Sequence, residues 1–282
     1  MNILSSFIQY AIKTLEKANI AEAKLEGRLL AEYVSGTTRI DVLKTPQKPI
    51  PLSLQKDLQD ALKRRIDGEP VFRIIGKREF YGLPFTLSKD TLEPRDDTGA
   101  LIDLLLPILQ TQKHPTILDM GTGTGIIAIT LLHEMKTATA IGVDISQDAL
   151  TTAFQNAELN GVEKRFTPLL SDWFENVKGK FDFIVSNPPY IPQADLAHLQ
   201  KEVLKFDPHR ALDGGVDGLD FYRSLALHSK QFLTKNGKVA VEIGIDQEND
   251  VEQLFKDEGF VLIASCKDLG DITRALLFSA SN

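Results

Sequence analysis

Apolar residues near the start of the chain recur at three- and four-residue intervals, the spacing of one helix face. Phe7, Ile8, Ala11, Ile12 and Leu15 mark a first helix. A second is expected over residues 22–34, burying Leu25, Leu29, Leu30 and Val34 and stopping at Gly36. Pro46, Pro49 and Pro51 then break the pattern. A third helix follows Ser53, whose hydroxyl is placed to cap it, and runs through Leu54, Leu58, Ala61, Leu62 and Ile66 to Gly68. These segments make a small helical domain, residues 1–68. From residue 69 the stretch VFRIIGKREFYGLPFTLS alternates and is punctuated by Gly76, Gly82 and Pro84, which predicts a β-hairpin linker over residues 69–97. The extended segment Leu92-Glu93-Pro94-Arg95 leads into a helix over about residues 98–109.

Beyond residue 116 the pattern becomes one of short apolar runs separated by helical stretches. TILDM, ATAIGVDI, FTPLL and FDFIVSN are strand candidates, and GKVAVEIG and RALLFSA close the chain. This alternation predicts an α/β fold: a doubly wound, Rossmann-like sheet of parallel strands with helices on both faces, covering residues 98–282.

Candidate chemistry sits where two of these strands end. Asp119-Met120-Gly121-Thr122-Gly123-Thr124-Gly125 follows TILD and precedes the apolar helix IIAITLLHEM. Glycine allows a strand to turn sharply into a helix while a ligand approaches the backbone. Dinucleotide enzymes and plain tight turns share this feature, so the loop alone identifies nothing. Asp119 suits a cofactor amino group, directly or through solvent. Asp144, 19 residues after Gly125, is placed to accept ribose hydroxyls. A nicotinamide cofactor would use the same geometry. Ser171-Asp172-Trp173 after the third strand points further toward S-adenosylmethionine: Asp172 suits the adenine amine, and Trp173 either covers the ring or is a core tryptophan.

Asn187-Pro188-Pro189-Tyr190 ends the fourth strand, at the sheet edge where open α/β sheets bind ligands. These residue types suit methylation of a planar nitrogen whose lone pair is delocalised. The Asn187 side-chain oxygen, which also adjoins the cofactor, and the Pro188 carbonyl can accept the two hydrogens of an NH2 group. Both bonds strengthen as positive charge develops on nitrogen, so they favour the transition state. The prolines fix the backbone, and Tyr190 offers a flat face to the substrate. Alignment of this kind supplies about 7–11 kcal/mol of a barrier.

Composition narrows the field. A chain of 282 residues, 43% hydrophobic and 25% charged, accommodates one large domain and a small one. The single cysteine, Cys266, excludes an intrachain disulfide. The opening residues mix Lys and Glu among apolar positions, and no apolar run reaches about 18 residues, so a cytoplasmic protein without membrane attachment is expected. The net charge of −7 weighs against a protein that grips duplex phosphates. It is unevenly spread: residues 1–80 carry +4 and the remainder −11, which suggests two regions with different partners. His114, His133, His198, His209 and His228 show no zinc spacing with each other or with Cys266, and no metal is expected. Neither a P-loop nor a nucleophile elbow occurs.

Over nearly its whole length the sequence resembles the HemK/PrmC protein-glutamine methyltransferases, which modify the Gly-Gly-Gln glutamine of peptide chain release factors. The resemblance rests on Gly68-Glu69-Pro70, Ile75-Gly76, Glu79-Phe80-Tyr81-Gly82-Leu83, Phe85 and Leu92-Glu93-Pro94-Arg95-Asp96-Asp97-Thr98. The glycine loop, Ser171-Asp172-Trp173 and the tetrad follow. Then come Phe206-Asp207-Pro208-His209-Arg210-Ala211-Leu212-Asp213-Gly214-Gly215, Asp217-Gly218-Leu219-Asp220, Glu242-Ile243-Gly244 and Gln247. The resemblance implies a seven-stranded class I methyltransferase sheet and transfer of a methyl group from S-adenosylmethionine to that glutamine's amide nitrogen. It further implies that residues 121–125, Asp144 and Trp173 contact the cofactor, that residues 187–190 hold the amide, and that the helical domain helps dock a release factor. A monomer with no direct nucleic-acid substrate is expected. Many members read Pro-Glu-Thr-Glu where this chain has Asp96-Asp97-Thr98-Gly99, and Asp268-Leu269-Gly270-Asp271-Ile272-Thr273-Arg274 keeps only part of the usual pattern.

Two other readings remain. DNA-adenine methyltransferases share the tetrad, but they require a target-recognition region and a basic groove. A non-catalytic cofactor-binding module would have no use for an intact tetrad beside an intact glycine loop.

Overall fold

The helical spacing at the start is realised as α1 (Leu4–Lys17), which buries Leu4, Phe7, Ile8, Ala11 and Leu15. In this computed structural model residues 2–281 are described, and the chain divides into two compact units, Met1–Gly76 and Lys77–Asn282. In the first unit α2 (Ala23–Ser35) ends at Gly36, whose left-handed backbone (φ 63°) terminates the helix. The expected face is largely found: Leu30 is buried and Leu29 and Val34 pack half-buried on the helical core, but Leu25 is 43% exposed, and Ala23, Gly27 and Ala31 also face inward. Small residues let the two backbones approach. A Cβ at Gly27 would lie 2.7 Å from the Ile12 nitrogen and 2.8 Å from its Cα.

Gly27→Ala therefore has an unusual sign. Alanine normally stabilises a helix interior by about 1 kcal/mol over glycine. Here the added methyl meets backbone that cannot rotate away, and a net loss on the order of 1–3 kcal/mol is expected in urea unfolding of the full chain. A gain would show that α1 and α2 can separate freely.

A short helix that the apolar pattern does not announce, α3 (Arg39–Lys44), buries no residue fully, though Val42 packs half-buried on the helical core, and it begins at a cap. Thr38 accepts from the Asp41 backbone, and Asp41 accepts from the Thr38 backbone at 2.8 Å. In α4 (Ser53–Ile66), Leu58, Ala61 and Leu62 are buried as expected, but Ser53 makes no capping bond. The turn begins earlier, with Leu54 N donating to Pro51 O, so Ser53 falls inside the first turn. The expected hairpin also starts later than its sequence suggests. Val71 and Ile74, at helical spacing, are buried in the helical core, and residues Val71–Ile75 form α5, closed by left-handed Gly76. Only Lys77–Phe80 (β1) and Leu83–Thr86 (β2) pair as the hairpin.

In the second unit α6 (Gly99–Leu109) precedes β3 (Thr116–Met120), α7 (Ile126–Glu134), β4 (Thr139–Asp144), α8 (Gln147–Leu159), β5 (Phe166–Leu170) and β6 (Phe181–Ser186). Two short helices, α9 (Gln193–Leu196) and α10 (Lys201–Phe206), lead to α11 (Asp220–Ser229), β7 (Leu233–Glu242), α12 (Glu248–Asp257), β8 (Phe260–Lys267) and β9 (Thr273–Ala280). The seven strands form one sheet in the order β5-β4-β3-β6-β7-β9-β8. Alternate strand residues feed two cores. Ile117, Phe183 and Val185 pack with α6, α7 and α8, whereas Leu118, Ile184 and Val239 pack with α11 and α12.

The parallel strands expected from the alternation form β5-β4-β3-β6-β7, and the far edge departs from them. β9 runs antiparallel to both β7 and β8, because the five-residue turn 268–272 can only return the chain antiparallel. Asp268 closes that turn by accepting from the Gly270 and Ile272 backbones. β8 is the strand that the six named runs omit. As an edge strand it leaves Val261 and Ile263 about half exposed, so apolar residues occupy both its faces. Among the described residues no helix is long and apolar enough to cross a membrane.

Candidate active site

β3 is the point where the winding reverses, with β4 on one side and β6 on the other. Ligands bind beyond the carboxyl ends of strands at such a point. The parallel register pairs Met120 with Ser186, so the glycine loop and the tetrad leave adjacent strands at the same level. Ser186 Oγ donates to Met120 O at 2.7 Å and ties the two exits together. Between them opens a cleft of about 330 Å³.

Of the residues singled out from sequence, Gly121, Thr122, Gly123, Thr124, Asp144, Asp172, Trp173, Asn187, Pro188 and Pro189 line this cleft. Asp119, Gly125 and Tyr190 are not on its wall. Gly121 and Gly123 are left-handed (φ 71° and 56°), and a Cβ on either would meet no atom closer than 3.9 Å, so the loop presents bare backbone with room beside it. Gly125 is tight instead: a Cβ there would sit 2.6 Å from Ile129 Cδ1, which makes it a packing residue at the start of α7.

Asp119 is fully buried beneath the loop. Its Oδ2 accepts from Thr122 Oγ1 at 2.7 Å and from Ala128 N at 3.3 Å, and its Oδ1 has no partner. Burial pushes this carboxyl up to about 7, the Asp144 charge adds to the shift, and the two hydrogen bonds oppose it. Its visible work is to hold the loop. Asp144 stands at the cleft itself, accepting from Gly123 N and Ser146 N at 2.9 Å each. Burial raises its carboxyl as well, against backbone hydrogen bonds and the Arg210 charge. With backbone donors on both oxygens, the carboxylate still keeps acceptor capacity for a further donor.

Trp173 lies half-buried on the rim in a left-handed backbone conformation (φ 48°), which is strained for a tryptophan. Ser171 braces it, accepting from Asn176 N and donating to Trp173 O at 2.9 Å. Phe221 of α11 packs against its ring with centroids 4.3 Å apart, and this aromatic wall was not visible in the sequence. Asp172 is exposed.

Tyr190 packs in glycine-rich surroundings. A Cβ at Gly214 would meet Tyr190 backbone at 2.9 Å, and one at Gly244 its Cδ2 at 3.0 Å. Gln247 Nε2 donates to Tyr190 O at 2.9 Å, while Gln247 Oε1 accepts from Gly244 N. Burial, with Glu242 nearby, pushes the phenol up to about 12, so it stays neutral at neutral pH. Two ion pairs join the strap before α6 to the segment after α10: Arg95 with Asp207 at 2.6 Å, and Arg210 with Asp90 at 2.9 Å.

Comparison with known proteins decides the family. Residues 6–76 match the PrmC N-terminal domain, and residues 93–215 match the methyltransferase small domain. A release factor glutamine methyltransferase of Agrobacterium fabrum is 47% identical, over 95% of this chain and 94% of its own. The chain belongs to the release factor glutamine methyltransferase family. It is a methyltransferase. A second family member, from Rhodospirillum rubrum, is 40% identical over 98% of this chain and 84% of its own. The fold is also that of a methyltransferase from Pyrococcus furiosus, with a TM-score of 0.51 at 17% identity, over 79% of this chain and all of that one.

Proposed function

We propose that this enzyme, acting as a monomer in the cytoplasm, methylates the side-chain amide nitrogen of the glutamine in the Gly-Gly-Gln motif of a release factor. S-adenosylmethionine is the donor, and the helical unit helps to dock the protein substrate. The observation that carries the reading is the shared cleft: an open glycine backbone and an Asn-Pro-Pro segment leave neighbouring strands in register.

The residues present fit the cofactor. Gly121 and Gly123 leave backbone space, Asp144 keeps acceptor capacity for ribose hydroxyls, and the Trp173–Phe221 pair offers an aromatic surface for adenine. Asp172 is free to take the adenine amine, and Thr122 and Thr124 complete the loop wall. Bound there, S-adenosylmethionine supplies an electrophilic methyl group.

The chain's own part is alignment. Asn187 Oδ1 and the Pro188 carbonyl accept the two amide hydrogens and turn the nitrogen lone pair toward the methyl carbon. Buried Pro188 keeps that carbonyl fixed. As the nitrogen gains positive charge both bonds strengthen, so the residues bind the transition state more tightly than the ground state.

The test is methyl transfer from labelled S-adenosylmethionine, with a release factor and duplex DNA in parallel. Label confined to the Gly-Gly-Gln glutamine, and lost when that residue is replaced, is expected. Label in the DNA, or persistent label in the glutamine variant, overturns the substrate.

A further inference from the structure

Behind the cleft, buried polar groups converge on Asn187. Thr98, just before α6, is fully buried, and its Oγ1 accepts a hydrogen bond from Asn187 Nδ2 at 3.2 Å. Glu242, the last residue of β7, is 2% exposed and faces the Thr98 and Asn187 side chains, which both stabilise its charged form. Its Oε2 has no hydrogen-bond partner. The strand end is held because the Tyr222 hydroxyl donates to Glu242 O at 2.9 Å. Arg274 is engaged elsewhere, donating to Asp268 at 2.8 Å and lying 3.6 Å from Asp97.

A threonine hydroxyl has one hydrogen. When Thr98 accepts from the Asn187 amide, that hydrogen remains for an acceptor, and Glu242 is the acceptor facing it. An ionised carboxyl has no hydrogen to give. The polarity then runs one way, from Asn187 N–H to Thr98, and from Thr98 O–H to Glu242. The Asn187 NH2 is held at the back and its Oδ1 is left for the cleft. A protonated Glu242 could donate to Thr98 and release the Thr98 hydrogen toward Asn187. The amide would then flip and present NH2 where an acceptor is required.

We propose that Thr98 and Glu242 are positioning residues, a polarity relay that fixes which end of the Asn187 amide faces the acceptor nitrogen. The inference rests on the reading of Asn187 as the acceptor for the substrate amide. The groups facing Glu242 are Thr98 and Asp97 from the turn before α6, Asn187 and Tyr190 after β6, Tyr222 from α11 and Arg274 from β9. Burial pushes the Glu242 carboxyl up to about 7, with Asp97 adding to the shift and Thr98, Arg274 and Asn187 opposing it. The relay is therefore set on the alkaline side of neutrality and lost on the acid side.

Two kinds of measurement test it. In steady-state assays on the full chain, Thr98→Val, which keeps the volume, should lower kcat by about 10- to 100-fold with KM for the release factor within about two-fold. Thr98→Ser should recover most of the turnover. Wild-type kcat should rise with pH through the neutral range, and Glu242→Gln, which cannot titrate, should lose that step. If Asn187→Ala is inactive while Thr98→Val and Glu242→Gln both turn over normally, the relay is overturned and the Asn187 reading stands. If Asn187→Ala is itself active, the Asn187 reading is what fails. The relay is also tested without substrate, through the Asn187 side-chain NH2 resonances, assigned by their loss in Asn187→Ala. They should shift over roughly pH 6–8 in the wild type and stay fixed in Glu242→Gln. Resonances that do not move in the wild type, or move equally in Glu242→Gln, overturn it.

Discussion

Asn187→Ala should fold and yet lose about 10²- to 10³-fold in kcat, the usual cost of removing one preorganised group that bonds the reacting centre. The side chain lines the cleft, donates to Thr98 and also hydrogen-bonds the Glu242 carboxyl. Losing these bonds costs stability on the order of 1–3 kcal/mol, too little to unfold a domain of this size. The Pro188 carbonyl survives the substitution because it belongs to the backbone, so half of the amide cradle remains. The loss should accordingly fall on turnover far more than on cofactor affinity, since the glycine loop and Asp144 are untouched. Single-turnover methyl transfer, cofactor titration by calorimetry and thermal unfolding together separate these quantities. Turnover within a few-fold of wild type would remove Asn187 from the mechanism.

The parts of the molecule legible in sequence are those whose signal is local. The glycine loop and the tetrad each follow a short apolar strand, and strand-end chemistry is written in consecutive residues, so both were located and both reach the cleft. The first helix shows its face because five apolar side chains are spaced for it. In α2 the signal is incomplete: Leu29, Leu30 and Val34 mark the packed face, but the closest contact with α1 is made at Gly27, and only the packed structure reveals that small residues bring backbones together. α3 carries little burial signal, since Val42 packs only partly on the helical core while Ile40 and Leu43 are exposed. At the site, what escaped are pairings between distant segments. Phe221 meets Trp173 from another helix, and Thr98, Asn187 and Glu242 come together from three elements. Thr98 and Glu242 belong to blocks that resemble the family, but no chemistry attached to them until their burial and mutual placement were seen. Tyr190 reads as a substrate platform from its position in the tetrad, and the glycines packed against it became visible only in the structure.

The second large effect concerns stability rather than rate. Asp119 has an ordinary carboxyl value of 3.8 and is pushed to about 7 in the fold, chiefly by burial. Between these values the unfolded chain has released the proton that the native state keeps, so the native state binds more protons. The group's contribution to stability is complete below the unfolded value and is lost as pH rises through the folded one. The slope approaches about 1.4 kcal/mol per pH unit, and the whole loss is on the order of 4 kcal/mol. Glu242, raised from 4.5 to about 7 by the same cause, acts in the same direction. The cofactor-free protein should therefore weaken from pH 5 to pH 8, against the usual trend for proteins whose carboxylates are ion-paired. Asp119→Asn removes the titrating group while leaving an oxygen to accept from Thr122 Oγ1. Urea unfolding of both proteins across this range should show the wild type losing stability faster, with the gap closing or reversing above neutrality. Parallel curves would mean that Asp119 ionises in the fold without penalty. The position is then a compromise: a buried carboxyl that costs stability at neutral pH also fixes the loop from which Gly121 and Gly123 face the cleft.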